Sequence, residues 1–336
     1  MLLRSVFFLG AIFLFTSCAH EPKSLSLEQS RAYVGSTLVT SSEEKTPQEE
    51  RELFAEHCPI FVIEDENKNY NKIGEPKIKR VVQDKLEAYV DPTSAIIYTQ
   101  KRTFTTERGK YTNLIYRVHF EKIPYMLMPF HVGAGKNVGL LVVVTLNEKQ
   151  LPVLVTTVHT CGCYISIIPT NHLEKGAFPI DWKAEPKYRY GEKHTPLLTY
   201  PDGDGYHPTL YLRKETHRVS DVFVEEKDHV KQKYDIVKME MRPMEQLDAL
   251  PVIGENEDAS LYYDGLNKGY VRNALKPYEF LFISWWAFDM NVGVDKKYAS
   301  SRDLHTRFYT SLNPAYRQES DMWNFARFLK FWGWNL

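Results

Sequence analysis

Val138-Gly139-Leu140-Leu141-Val142-Val143-Val144-Thr145-Leu146 holds no charged residue in nine positions. After the polar joint Asn147-Glu148-Lys149-Gln150 the chain resumes as a run from Leu151 to Pro169 without Asp, Glu, Lys or Arg. Two short apolar segments joined by a four-residue polar loop read as a hairpin. Because the strands are apolar on both faces, they belong in the middle of a sheet, covered from both sides.

Outward from this pair the period of two continues. Ala95 to Phe104 and Tyr111 to Glu121 flank Glu107-Arg108-Gly109, and Leu114, Tyr116, Val118 and Phe120 alternate with Arg117 and His119. This reads as a second hairpin with one face in water. Thr209 to Val224 and Tyr234 to Met241 read as further strands, with Asp202-Gly203-Asp204-Gly205 as the turn ahead of them. Thr46-Pro47-Gln48-Glu49 pairs a capping hydroxyl with an acid three residues on and puts proline at the first helical position, so a helix is expected to about His57, before Pro59.

The last quarter changes character: Trp285, Trp286, Trp323, Trp332 and Trp334 all lie there, five of the six tryptophans. Ser320 is positioned to cap a helix in which Met322, Phe325, Ala326, Leu329 and Trp332 share a face and which Gly333 ends. Leu281-Phe282-Ile283-Ser284-Trp285-Trp286-Ala287-Phe288 is too short to cross a bilayer core of about 30 Å and reads as a buried helix ahead of a membrane-dipping one. The fold class expected is therefore α+β: a mainly antiparallel sheet, a short N-terminal helix and an aromatic-rich helical C-terminal region.

The composition, 43% hydrophobic and 13% aromatic, suits one sizeable core. With 42 basic and 43 acidic residues no net field draws nucleic acid to the surface.

The N-terminus carries an address. Arg4 precedes ten uncharged residues, Val6 to Phe15, followed by Thr16, Ser17 and Cys18. That is the layout of a signal peptide, too short to remain as a spanning anchor. Phe15-Thr16-Ser17-Cys18 resembles the lipobox of bacterial lipoproteins, and the resemblance covers only this leader. It implies cleavage before Cys18, a diacyl lipid on Cys18 and, with Ala19 rather than Asp next, an outer-membrane location facing the periplasm. The expected organisation is a signal peptide over 1–17, a lipidated cysteine and flexible tether over 18–45, rich in Ser, Glu and Thr, and a single globular domain over 46–336.

In an oxidising compartment the remaining cysteines, Cys58, Cys161 and Cys163, are disulfide candidates, and their odd number leaves at least one unpaired. His159-Thr160-Cys161-Gly162-Cys163 is the one constellation with chemical potential, since strand alternation puts His159, Cys161 and Cys163 in one row. Nitrogen and sulfur ligands suit zinc or copper. Successive same-face positions are about 7 Å apart, however, so the row needs a bulge at Gly162 to close on one ion, with His131, His119 or His217 as the fourth ligand. Alternatively Cys161 and Cys163 form a redox pair, or Cys58 bonds one of them and staples the first helix to the central strand, or Cys161 and Cys163 are small core residues and His159 is a hydrogen-bonded core histidine.

Gly133-Ala134-Gly135-Lys136 fails as a phosphate loop, with Phe130 in place of its first glycine and Asn137 in place of the Ser or Thr. Tyr206 spoils Asp202-Gly203-Asp204-Gly205 as a calcium loop. Trp332-Gly333-Trp334 and the clustered tyrosines offer flat faces for the sugar rings of peptidoglycan or lipopolysaccharide, against the alternative of core packing. No acid, base and nucleophile assemble. A structural or binding protein at the membrane surface, with an envelope glycan or protein as partner, is expected ahead of a metal- or thiol-dependent enzyme using His159, Cys161 and Cys163.

Overall fold

The computed structural model describes residues 29–36, 47–83 and 85–336. The signal segment, Cys18 and Thr46 lie outside the described residues. The principal strands are β1 (Arg31–Gly35), β2 (Ile60–Ile63), β3 (Glu75–Val82), β4 (Lys85–Asp91), β5 (Ile96–Thr106), β6 (Gly109–Ile123), β7 (Gly135–Leu146) and β8 (Pro152–His159). They continue with β9 (Ser166–Pro169), β10 (Lys187–Arg189), β11 (Glu192–His194), β12 (Tyr206–Leu212), β13 (Val219–Glu226) and β14 (Asp235–Pro243). The α-helices are α1 (Gln48–Glu56), α2 (Lys227–Lys233), α3 (Pro277–Ala287) and α4 (Phe325–Phe331).

Ten strands form one sheet in the order β13-β12-β2-β1-β14-β5-β6-β7-β8-β9. The run from β5 to β9 is antiparallel, as the two hairpins in the sequence require. The sheet as a whole is mixed, which corrects the antiparallel expectation. β14 runs parallel to both β1 and β5, and β2 runs parallel to β12. These pairings join residues 144 to 204 positions apart, beyond the reach of any hairpin signal.

β1 also corrects the expected tether. Ala32, Tyr33 and Val34 are buried in the middle of the sheet, so the body starts well before residue 46. The single strand expected over 209–224 is the β12/β13 hairpin, which turns at Arg213–Arg218.

On β6 and β7 alternate side chains enter two different cores. Leu114, Tyr116, Val118, Leu140, Val142 and Val144 face inward with Phe54 of α1, Tyr33 of β1 and Met239 and Met241 of β14. Ile115, Leu141, Val143 and Val158 face the C-terminal quarter, where Phe308, Met322, Phe325, Phe328 and Trp334 cover them. The face expected to be wet is therefore dry: Arg117 and His119 are fully buried beneath that layer.

α4 is capped by Asn324, whose side chain accepts from Arg327 N, rather than by Ser320, and spans seven residues. The C-terminal quarter is largely turns and bridges around two helices rather than a helical region. α3 also departs from expectation. It is exposed, with Leu281 and Trp285 at 63% and 71% of full exposure and its C-cap Phe288 at 80%. Among the described residues no helix is long and apolar enough to cross a membrane.

Candidate functional site

The Cys-Gly-Cys segment is a turn, not a strand. β8 ends at His159, whose N–H donates to Cys163 O at 2.9 Å while Gly162 N–H donates to His159 O at 2.7 Å. Gly162 has φ +90°, and a Cβ there would run into the Tyr309 carbonyl, so only glycine fits. A glycine at the centre of the motif was the available sign that strand alternation would break.

The turn brings Cys161 and Cys163 together as a disulfide, with Cα atoms 5.6 Å apart. Cys58 is free and buried, its thiol pushed up to about 12 by burial, and it staples nothing. With the pair closed, neither sulfur is a thiolate. The His159 ring is engaged elsewhere, its Nε2–H donating to His217 O at 3.1 Å. Burial lowers His159 to about 3, so it is neutral. The other ligand candidates are engaged separately. His217 Nε2–H donates to Tyr70 O at 2.8 Å, His119 Nε2 accepts from Arg117 at 3.1 Å, and His131 meets Glu215 at 3.1 Å. Among the described residues no three His, Cys, Asp or Glu side chains converge to hold a metal.

Behind the turn lies a buried ionic cluster that no sequence pattern announced. Asp295 accepts from Gly139 N at 3.1 Å and from the Thr160 hydroxyl, and pairs with Lys276 Nζ at 3.1 Å. Burial works against the Lys276 ammonium, but Asp295 and Glu279 outweigh it and hold its pKa above the usual lysine value. Lys296 donates to Cys161 O and lies 4.4 Å from the Tyr309 ring, with burial bringing it down to about 8. Its carbonyl accepts from Arg117 at 2.8 Å. Asp295 pairs with Lys276, while Arg117 and Lys296 donate to backbone carbonyls, so the cluster ties the C-terminal layer to the ends of β6, β7 and β8.

The turn does lead to an open site. Tyr164, at φ +54°, packs edge-on against Tyr190 with ring centroids 5.0 Å apart, and Tyr190 stands at the tip of the β10/β11 hairpin. That tip, the edge strand β9 and the segment after α4 enclose a cleft of about 440 Å³ lined by Ile165, Ile167, Asp181, Lys187, Tyr188, Arg189, Tyr190, Trp332 and Trp334. Tyr188 and Trp332 are 64% and 38% exposed. The Trp332 indole N–H donates to the Thr310 hydroxyl at 3.1 Å, which fixes the ring. Trp334 is buried, so of the two tryptophans flagged by the sequence one is core and one is open.

The hairpin is braced from behind. Arg218 donates to Tyr190 O at 2.8 Å, and Glu192 of β11 pairs with Arg213 at 2.8 Å. His194 is held between Ser166 at 2.9 Å and Val219 O at 3.0 Å. Sequence reasoning missed this half of the cleft; the alternation Tyr188-Arg189-Tyr190 before Gly191 is the one local feature that could have pointed to it. No protein-family model, curated protein or solved structure matches the chain.

Proposed function

We propose that this chain is a lipoprotein tethered through Cys18 to the periplasmic face of the outer membrane, whose body is a noncatalytic binding protein for an envelope glycan. The observation that carries the binding reading is the cleft beside β9. Trp332 and Tyr188 offer flat apolar faces for the C–H side of a pyranose ring, while Asp181, Lys187 and Arg189 at the same cleft are hydrogen-bonding groups for hydroxyl, carboxylate or phosphate substituents. The braced hairpin and the fixed Trp332 ring keep the platform rigid before a ligand arrives, which lowers the ordering cost of binding.

Titration calorimetry of the purified protein with soluble muropeptides and with lipopolysaccharide core oligosaccharide tests it. We expect one of the two to bind and Trp332→Ala to weaken that binding at least tenfold, with little effect on thermal stability because the ring is partly exposed. No binding of either, or binding indifferent to Trp332, would end this reading.

A further inference from the structure

From Leu275 to Met290 the chain is folded inside out. Its exposed positions are Leu275, Pro277, Phe280, Leu281, Phe282, Trp285, Trp286, Phe288 and Met290, all apolar. Its charged residues are turned inward: Lys276 and Glu279 are buried and Asp289 is largely covered. A helix against water shows the reverse arrangement.

A second segment extends the same surface. Tyr125, Leu127, Met128, Pro129 and Phe130 are exposed in succession, broken only by the half-buried Met126. Phe130 lies 4.8 Å from the Tyr278 ring, and Tyr125 lies 5.9 Å from it, so loop and helix form one continuous patch.

We propose that this patch, α3 with the 125–130 loop, enters the lipid of the membrane surface. Three features select lipid over a protein partner. Protein interfaces carry roughly one hydrogen bond per 100–200 Å² and a polar rim, whereas the exposed side chains of this patch include no charge, amide or Ser/Thr hydroxyl. Its Trp, Tyr, Phe and Leu content is that of segments lying at the headgroup boundary. α3 has 11 residues, about 16 Å at 1.5 Å per residue, which suits lying in the plane rather than crossing it.

The tether gives a fourth argument, which rests on the lipid anchor proposed above. Because the sheet already begins at β1, only 12 residues separate Cys18 from Arg31, and they reach at most about 40 Å. The body is then held where an apolar face meets bilayer.

The test is bromolipid quenching of the full chain reconstituted in phosphatidylethanolamine–phosphatidylglycerol vesicles with brominated acyl chains. Tryptophan emission is expected to fall, and the fall to shrink by at least half in the double variant Trp285→Phe, Trp286→Phe, whose exposed positions leave the core intact. Equal quenching in the variant overturns the proposal, as does flotation with the vesicles without quenching, which leaves the anchor standing. Quenching in protein whose Cys18 carries no lipid by mass spectrometry supports the patch and overturns the anchor. A dimer in detergent that Leu281→Glu dissolves, with no quenching in vesicles, points to a second copy and overturns the lipid assignment.

Discussion

Histidine is the residue on which this interior makes its clearest prediction. Burial lowers His57 and His207 to about 4 and His159 and His217 to about 3, and it holds His119 well below the ordinary value. Each ring is neutral in the fold, and His217 also stacks on Phe120 at 4.0 Å. In the unfolded chain the same rings take up a proton near pH 6.5. As pH falls from about 6.5 toward 4, the unfolded state binds protons that the folded state refuses, so stability must fall with it. A single ring displaced from 6.5 to 3 costs about 1.4 kcal/mol at pH 5.5, and several act together. The buried carboxyls Glu279, Asp221 and Asp321 are raised by burial and act in the opposite direction, but the five lowered histidines outnumber them. Urea unfolding should show a clearly lower midpoint at pH 5.5 than at pH 7.5. Equal midpoints would mean that these histidines are solvated or charged in the fold.

Elements were legible where the signal is local and hidden where it is not. The hairpins β5/β6 and β7/β8 show in the sequence because alternation, polar joints and length all lie within about 30 residues. Arg117 and His119 misled because a charged residue on alternate positions implies water unless a distant segment supplies partners, and here Lys296 does so from 179 positions away. In the candidate site the Trp332 half of the cleft was visible as a motif. Tyr188, Arg189 and Asp181 were not, since their meeting with Trp332 depends on the path of the chain past β9. β1 was lost in a Ser- and Glu-rich stretch, with only Ala32-Tyr33-Val34 to mark it. Its membership in the sheet has a measurable consequence. Tyr33 is 1% exposed, and its hydroxyl donates to Glu66 at 2.9 Å. Tyr33→Ala should cost about 3–5 kcal/mol in urea unfolding, as for other large aromatics removed from a core. A residue in a solvated tether would change stability by no more than about 0.5 kcal/mol, so a silent Tyr33→Ala would return residues 31–35 to the tether.

At the scale of the molecule the question is whether the C-terminal layer and the sheet are one cooperative unit. Both cores share the same strands: Leu140 and Val142 serve one while Leu141 and Val143 serve the other, so neither can melt and leave its neighbour with a covered face. Polar ties cross the same boundary. Lys296 N donates to Thr160 O at 2.8 Å, Arg117 reaches the Lys296 carbonyl, and Asp295 grips both Gly139 and Lys276. Loss of the layer would strand Arg117 and His119 on an uncovered apolar strand face, an unstable intermediate. At the other end β1 lies between β2 and β14 and pairs with residues 235–239. Two probes separate the parts. Tryptophan emission reports the C-terminal layer, where Trp323 and Trp334 pack, and far-UV circular dichroism reports the ten-strand sheet. The two urea transitions should coincide within error and fit one midpoint and one slope, as a single domain requires. If emission changed at lower urea than the dichroism, the layer would be a separable unit, and the buried cluster around Asp295 would not be the clamp its geometry describes.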